Sequence, residues 1–234
     1  MTRIRALLVG LMAMGLVGLP GAVSAGTPSS GFDRAVIRHQ TSIRWMAFGH
    51  IHAAGSAMTI VGQVASFAQG HRGALAGVQV KLYRRLDGNS TWVYQSAQRT
   101  GTGTLPQFHF RTVTRQNAHY KVVFGGNASF GPTSEVTWGT VYRLFNGKIT
   151  DRSGAATYAG NVTPFYTNKP ISLQKRSCAT CSYVTVKRAT TGTNGAYRFS
   201  LPAPSNGRWW WRVAVPGTVA FIPSYGGTIT TELV

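Results

Sequence analysis

The chain has 234 residues, of which 24 are Lys or Arg and five are Asp or Glu; its formal charge is +19 at pH 7, and 43% of it is hydrophobic. That hydrophobic share can fill packed cores and excludes a disordered polar chain. Five carboxylates and two cysteines leave little for carboxylate-rich or cysteine-rich metal centres, while the positive excess points toward anionic polymers or surfaces.

Taken in chain order, residues 1–25 read as a secretory signal peptide. Arg3 and Arg5 form the basic start, Ala6 to Val17 the apolar run, and Val23-Ser24-Ala25 the small-residue cleavage site. The apolar run is too short for a membrane span and is broken by Gly15, Gly18 and Pro20. No later stretch is apolar enough to span. The expected mature chain of 209 residues keeps 22 basic residues against five acidic ones, or +17. It is expected to be secreted into an oxidising extracellular space, where its charge can hold it at the cell surface. Residues 26–40 open with Gly26-Thr27-Pro28-Ser29-Ser30-Gly31 and read as a flexible N-terminal segment.

Period-two alternation follows. Val78, Val80 and Leu82 alternate with Gln79, Lys81 and Tyr83; Tyr120, Val122 and Phe124 with Lys121 and Val123; Trp211, Val213 and Val215 with Arg212 and Ala214. This pattern predicts half-buried strands. Turns at Asp87-Gly88-Asn89, Gly125-Gly126-Asn127, Thr193-Asn194-Gly195 and Pro216-Gly217 separate them, as in an antiparallel sandwich. The chain also repeats itself. Residues 41–64 align on 139–162 at an offset of 98, and residues 78–132 on 169–223 at an offset of 91. The matched pairs include Gly62/Gly160, Leu82/Leu173, Phe108/Phe199, Val122/Val213 and Pro132/Pro223, and the first copy is longer at Ala65 to Gly77. A repeat of this length is a small domain. The expected architecture is all-β, with two tandem antiparallel β-sandwich domains at 41–137 and 138–234. Gly139 to Thr150 is expected to open the second.

The second copy reads Pro170-Ile171-Ser172-Leu173-Gln174-Lys175-Arg176, then Thr193-Asn194-Gly195-Ala196-Tyr197-Arg198-Phe199, then Trp211-Arg212-Val213-Ala214-Val215. It resembles the bacterial immunoglobulin-like repeat of secreted and surface proteins. The first copy keeps the spacing but departs at the turn, with Gly103-Thr104 before Leu105 to Phe110. The resemblance implies an Ig-like fold and extracellular adhesion, spacing or ligand-binding modules, usually without catalytic residues of their own.

Four groups of residues could carry chemistry. Cys178 and Cys181 fall on the turn equivalent to Asp87–Ser90; with no helix after them and no His in the second copy, they read as a disulfide rather than a redox pair or a zinc site. Trp210, between Arg208 and Arg212, should point outward beside Arg212, where it could stack on a sugar ring or sit in a membrane interface. Trp211 and Trp209 should face the core. His50 and His52 share a strand face but have no acidic or Cys neighbour, so no metal is expected. Arg84-Arg85 and Lys175-Arg176 occupy equivalent strand ends, and with Lys187-Arg188 they are candidate anion-binding residues. Sequons stand at Asn89, Asn127 and Asn161.

No catalytic residue is expected. The five acids are scattered, and Gly-x-Ser-x-Gly, His-Glu-x-x-His and phosphate-loop motifs are lacking. The sequence therefore reads as a secreted, non-enzymatic binding or adhesion protein without cofactor. Its partners would be anionic cell-wall polymer, polysaccharide or an anionic membrane surface. The alternatives are a structural spacer with no ligand and a carbohydrate-binding module using Trp210.

Overall fold

A computed structural model describes residues 38–68, 71–152, 155–164, 166–202, 204 and 207–232. The expected signal peptide and most of the 26–40 segment lie outside the described residues. From His39, which bridges to Phe130, the chain is already in the fold.

The strands of the first half are β1 (Gln40–Ala47), β2 (Ile51–Ala53), β3 (Ala57–Ala68), β4 (His71–Ala74), β5 (Gln79–Leu86), β6 (Val93–Arg99), β7 (Phe108–Val113), β8 (Ala118–Phe124) and β9 (Thr133–Tyr142). Those of the second are β10 (Leu144–Phe145), β11 (Lys148–Arg152), β12 (Ala155–Thr163), β13 (Pro170–Arg176), β14 (Val184–Thr190), β15 (Ala196–Leu201), β16 (Arg208–Val215), β17 (Ser224–Tyr225) and β18 (Ile229–Glu232). A single 3-10 turn, Thr193–Gly195, precedes β15; there Asn194 and Gly195 both take positive φ.

Each half packs two sheets face to face. In the first, β3 lies between β1 on one side and β7 and β4 on the other; the facing sheet runs β2-β9-β8-β5-β6. In the second, β12 lies between β10/β11 and β15, and the facing sheet runs β14-β13-β16 with β17 and β18 along the far side of β16. Every named pair is antiparallel except β2 with β9. This split of strands between two sheets is that of an immunoglobulin-type sandwich. The period-two residues fill two cores. One is built on Ile60, Val64, Leu82, Phe108, Tyr120 and Val122, the other on Tyr158, Leu173, Phe199, Trp211 and Val213. Among the extra residues of the first half, β3 pairs with β4, with Ala65 opposite Ala74.

The offset of 91 holds strand by strand in one sheet of each half. Leu82 pairs with Val122 and Leu173 with Val213. A β-bulge falls between Leu82 and Tyr83 in the β5–β6 ladder and between Leu173 and Gln174 in the β13–β14 ladder. The opposite sheets have drifted. Gly62 pairs with Phe108, whereas its counterpart Gly160 pairs with Tyr197, so Tyr197, not Phe199, stands where Phe108 does. Packing explains the change. In the first half Trp45 meets the Phe108 ring edge-on, with centroids 6.3 Å apart; in the second the Tyr197 hydroxyl reaches over Gly147 into that space. Both Gly62 and Gly160 lack room for a Cβ between the aromatic side chain and the neighbouring backbone, that of Arg44 in β1 and of Gly147 between β10 and β11.

The expected boundary at 137/138 falls inside β9. Gly139 to Tyr142 complete the first sandwich instead of opening the second: Thr137, Gly139 and Val141 alternate inward, and Val141 is fully buried. The halves meet at Asn117. Its Oδ1 accepts the Val141 N–H at 2.7 Å, and its Nδ2 donates to the Val219 carbonyl at 3.0 Å. Its backbone N–H donates to the Ala220 carbonyl at 2.8 Å. Next to it Arg143, only 6% exposed, lies over the rings of Phe221 (3.8 Å) and Tyr166 (4.7 Å). Burial depresses the pKa of Arg143, an effect that the Tyr166 hydroxyl opposes.

Candidate anion-binding faces

Adjacent residues on a strand point to opposite faces, so each basic doublet is divided. Arg84 and Lys175 lie on the core side. Arg84 acts electrostatically on Tyr120, and Lys175 Nζ sits 3.6 Å from the Trp209 ring centroid. Arg85 and Arg176 face outward, and there each meets an aromatic ring and a second cation from another strand.

On the first outer face, Trp92 precedes β6. Its ring lies 4.9 Å from the Arg85 guanidinium and 4.6 Å from Lys121 Nζ, which is also 5.6 Å from Tyr83. On the second, Tyr183 precedes β14. Its ring lies 4.8 Å from Arg176 and 4.0 Å from Arg212. The positions correspond at the same offset of 91: Arg85 to Arg176, Trp92 to Tyr183, Lys121 to Arg212. The second face is the more elaborate. Arg212 also covers Tyr225 at 4.0 Å and donates from Nε to Gln174 Oε1 at 2.8 Å. The Tyr183 hydroxyl is 3.1 Å from Thr228 Oγ1. Arg176 Nε is buried without a hydrogen-bond partner.

Beside each cluster runs a groove, of about 390 Å³ in the first half and about 310 Å³ in the second. Lys81, Tyr83 and Val123 of the first correspond to Ser172, Gln174 and Ala214 of the second. Arg99 adds a cation to the first groove and Arg188 to the second. Lys187 lies opposite the buried Leu173 and Arg188 opposite Ser172, so this doublet too is split between faces; both residues are exposed on the edge strand β14.

Trp210 is half-buried, and its ring neighbour is Arg176, at 5.9 Å, rather than Arg212. Trp211 is 2% exposed, and Trp209 packs on the same core. Cys178 and Cys181 form a disulfide across an exposed turn. His50 and His52 do not converge. His50 stacks on Trp138 with its Nδ1 3.2 Å from the Trp138 carbonyl, and His52 Nε2 is 2.6 Å from the Gly49 carbonyl. Among the described residues no cluster of three His, Cys, Asp or Glu could hold a metal.

Sequence reasoning missed Trp92, Lys121, Tyr183 and Tyr225. The signal for the first three was present: at the offset of 91 an aromatic residue matches an aromatic one and a cation matches a cation.

No protein-family model matches the chain, and no curated protein is significantly similar to it. Among solved structures it is similar to the D0-D1 domain of intimin, at 13% identity and a TM-score of 0.28, over 82% of this chain and 97% of that one. It is also similar to a marsupial T cell receptor, at 11% identity and a TM-score of 0.28, over 83% of this chain and 64% of that one. Both likenesses are too loose to carry fold or function across.

Proposed function

We propose that the protein is a secreted, non-enzymatic binding or adhesion protein that associates electrostatically with anionic polymers of the cell envelope or extracellular space. Its two halves are tandem Ig-like modules derived from one ancestor. The observation that supports binding is the lack of internal neutralisation. Among the described residues, one Arg–carboxylate pair forms, Arg208–Glu232 at 2.6 Å, and Asp87 pairs with His119 at 3.0 Å. Among the described residues most basic side chains therefore stand without a carboxylate partner, the condition under which polyanions release counterions on binding. The scatter of the carboxylates supports a role without catalysis: Asp87 and Glu232 are engaged, and Glu135 stands exposed on β9. No described helix is long and apolar enough to cross a membrane.

The test is retention of the mature protein on immobilised heparin and on an acidic cell-wall polymer across a salt series. Log affinity should fall linearly with log salt. If nothing binds at about 20 mM salt, where screening is weak, the spacer reading replaces this one.

A further inference from the structure

We propose that each sandwich carries one equivalent oxyanion site on its outer face, Arg85–Trp92–Lys121 in the first and Arg176–Tyr183–Arg212 in the second. Together they grip a single linear polymer bearing phosphate or sulfate esters. This rests on the polyanion reading above and deepens it from net charge to particular residues.

Three observations carry it. First, each site holds two cations within 5 Å of one ring, and among the described residues none of the four has a carboxylate partner. Asp87, two residues from Arg85, is bound to His119. Two like charges held on one ring repel each other, and an oxyanion bound to both removes that repulsion. A merely structural clasp needs one cation per ring.

Second, the ring has already ordered both long side chains, so binding costs less rotamer freedom than at free lysines or arginines. An Arg occupies the equivalent position in both sites, and its planar fork suits tetrahedral oxyanions.

Third, the arrangement occurs twice, with different residue types, beside equivalent grooves. The rings lie against cations and do not project, so they offer nothing for insertion into a bilayer or for stacking on a sugar. Grooves accept a strand-like polymer, whereas a membrane presents a flat surface. These features favour a linear polymer over a lipid surface.

Two sites in one chain make the binding bivalent. A polymer long enough to reach both should bind at least tenfold more tightly than a fragment that fills one.

The experiment compares the mature protein with four double variants: Arg85→Gln/Lys121→Gln, Arg176→Gln/Arg212→Gln, the charge-keeping Arg85→Lys/Arg176→Lys, and the control Arg111→Gln/Arg198→Gln. The control removes the same charge from exposed positions on β7 and β15, in the opposite sheets. Circular dichroism and thermal melts confirm that each is folded. The probes are heparin chains, a heparin tetrasaccharide, long-chain inorganic polyphosphate, and vesicles containing anionic phospholipid. Each site variant should abolish the advantage of long chains over the tetrasaccharide. Each should also lower the salt slope by about 2, one per lost cation, while the control keeps the long-chain advantage. Heparin and polyphosphate arms separate sulfate from phosphate preference. Charge-keeping Arg85→Lys/Arg176→Lys should weaken binding several-fold, since the fork is lost. If site and control variants weaken binding equally, the two-site assignment is overturned while the electrostatic reading stands. If vesicles bind and the soluble polymers do not, the polymer assignment is overturned. If wild type binds none of the probes at about 20 mM salt, the electrostatic reading falls and takes this inference with it.

Discussion

Asn117→Ala should be among the most destabilising single substitutions of a polar residue in this chain. The side chain is 6% exposed and bridges parts of the chain distant in sequence, accepting from Val141 N–H and donating to the Val219 carbonyl. Truncation leaves the Val141 N–H without a partner where water has little access, whereas the carbonyl of the exposed Val219 can turn to water. A buried unsatisfied donor costs about 1–3 kcal/mol, so the expected loss is about 2 kcal/mol. With a urea slope of about 2–3 kcal/mol/M, the midpoint should fall by about 1 M, read by tryptophan fluorescence. Asn117→Asp keeps the acceptor but turns a buried charge on the Val219 carbonyl, and should cost at least as much. Asn89→Ala, at an exposed turn position, serves as the control and should leave the midpoint unchanged. Hydrogen exchange gives a second readout: the Val141 amide should exchange faster in Asn117→Ala, and the Val122 amide should not. A midpoint shift below about 0.3 M, or unaltered exchange at Val141, would refute the reasoning.

Replacing both Cys178 and Cys181 by Ser should cost at most about 2 kcal/mol, because so short a loop removes little chain entropy; complete unfolding in a thermal melt would contradict this. Gly62→Ala should cost about 1–3 kcal/mol. The new Cβ would come within 2.5 Å of Phe108 Cζ and 2.7 Å of the Arg44 carbonyl, and an unchanged melting temperature would show that β1 can yield. Burial raises the pKa of Tyr120, Tyr166 and Tyr197, most strongly for Tyr197, where the neighbouring Tyr158 adds to the effect. A folded pKa above the unfolded value of about 10 means full stability below pH 10 and loss as pH rises beyond it. Absorbance at 295 nm should show three of the nine tyrosines ionising only with unfolding; smooth titration of all nine in the folded protein would refute the assignment.

The strands of one sheet in each half could be read from the sequence, because β5, β8, β13 and β16 are buried on one face and so alternate cleanly. The turn that places Cys178 beside Cys181 could be read for the same reason. The opposite sheets could not be aligned from identity alone. Matching Phe108 to Phe199 preserves residue type, but the packing of Trp45 in one half and Tyr197 in the other sets the pairing two residues away. The end of β9 was hidden because Val141 owes its place to Asn117, a contact across 24 positions. The basic doublets were visible, yet adjacency in sequence is separation in a strand. The partners of Arg85 and Arg176 come from other strands, and only the comparison of the two halves could have named them.

The repeated bulge sets the parity of each outer face. Gln95 and Val186 are the unpaired residues in β6 and β14. Beyond the bulge the pairing runs Arg84 with Val93 and Lys175 with Val184, and the next step sets Trp92 level with Arg85 and Tyr183 level with Arg176. Were the extra residue paired instead of bulged out, the count would slip by one. Each ring would then stand level with Leu86 or Ser177, turned to the other side of its sheet. One residue, carried on an edge strand where it packs against little, thus decides whether an aromatic ring meets two cations or none. Were Gln95 or Val186 drawn into the ladder as a paired residue, every cation would stay in place and the ring would turn away from them.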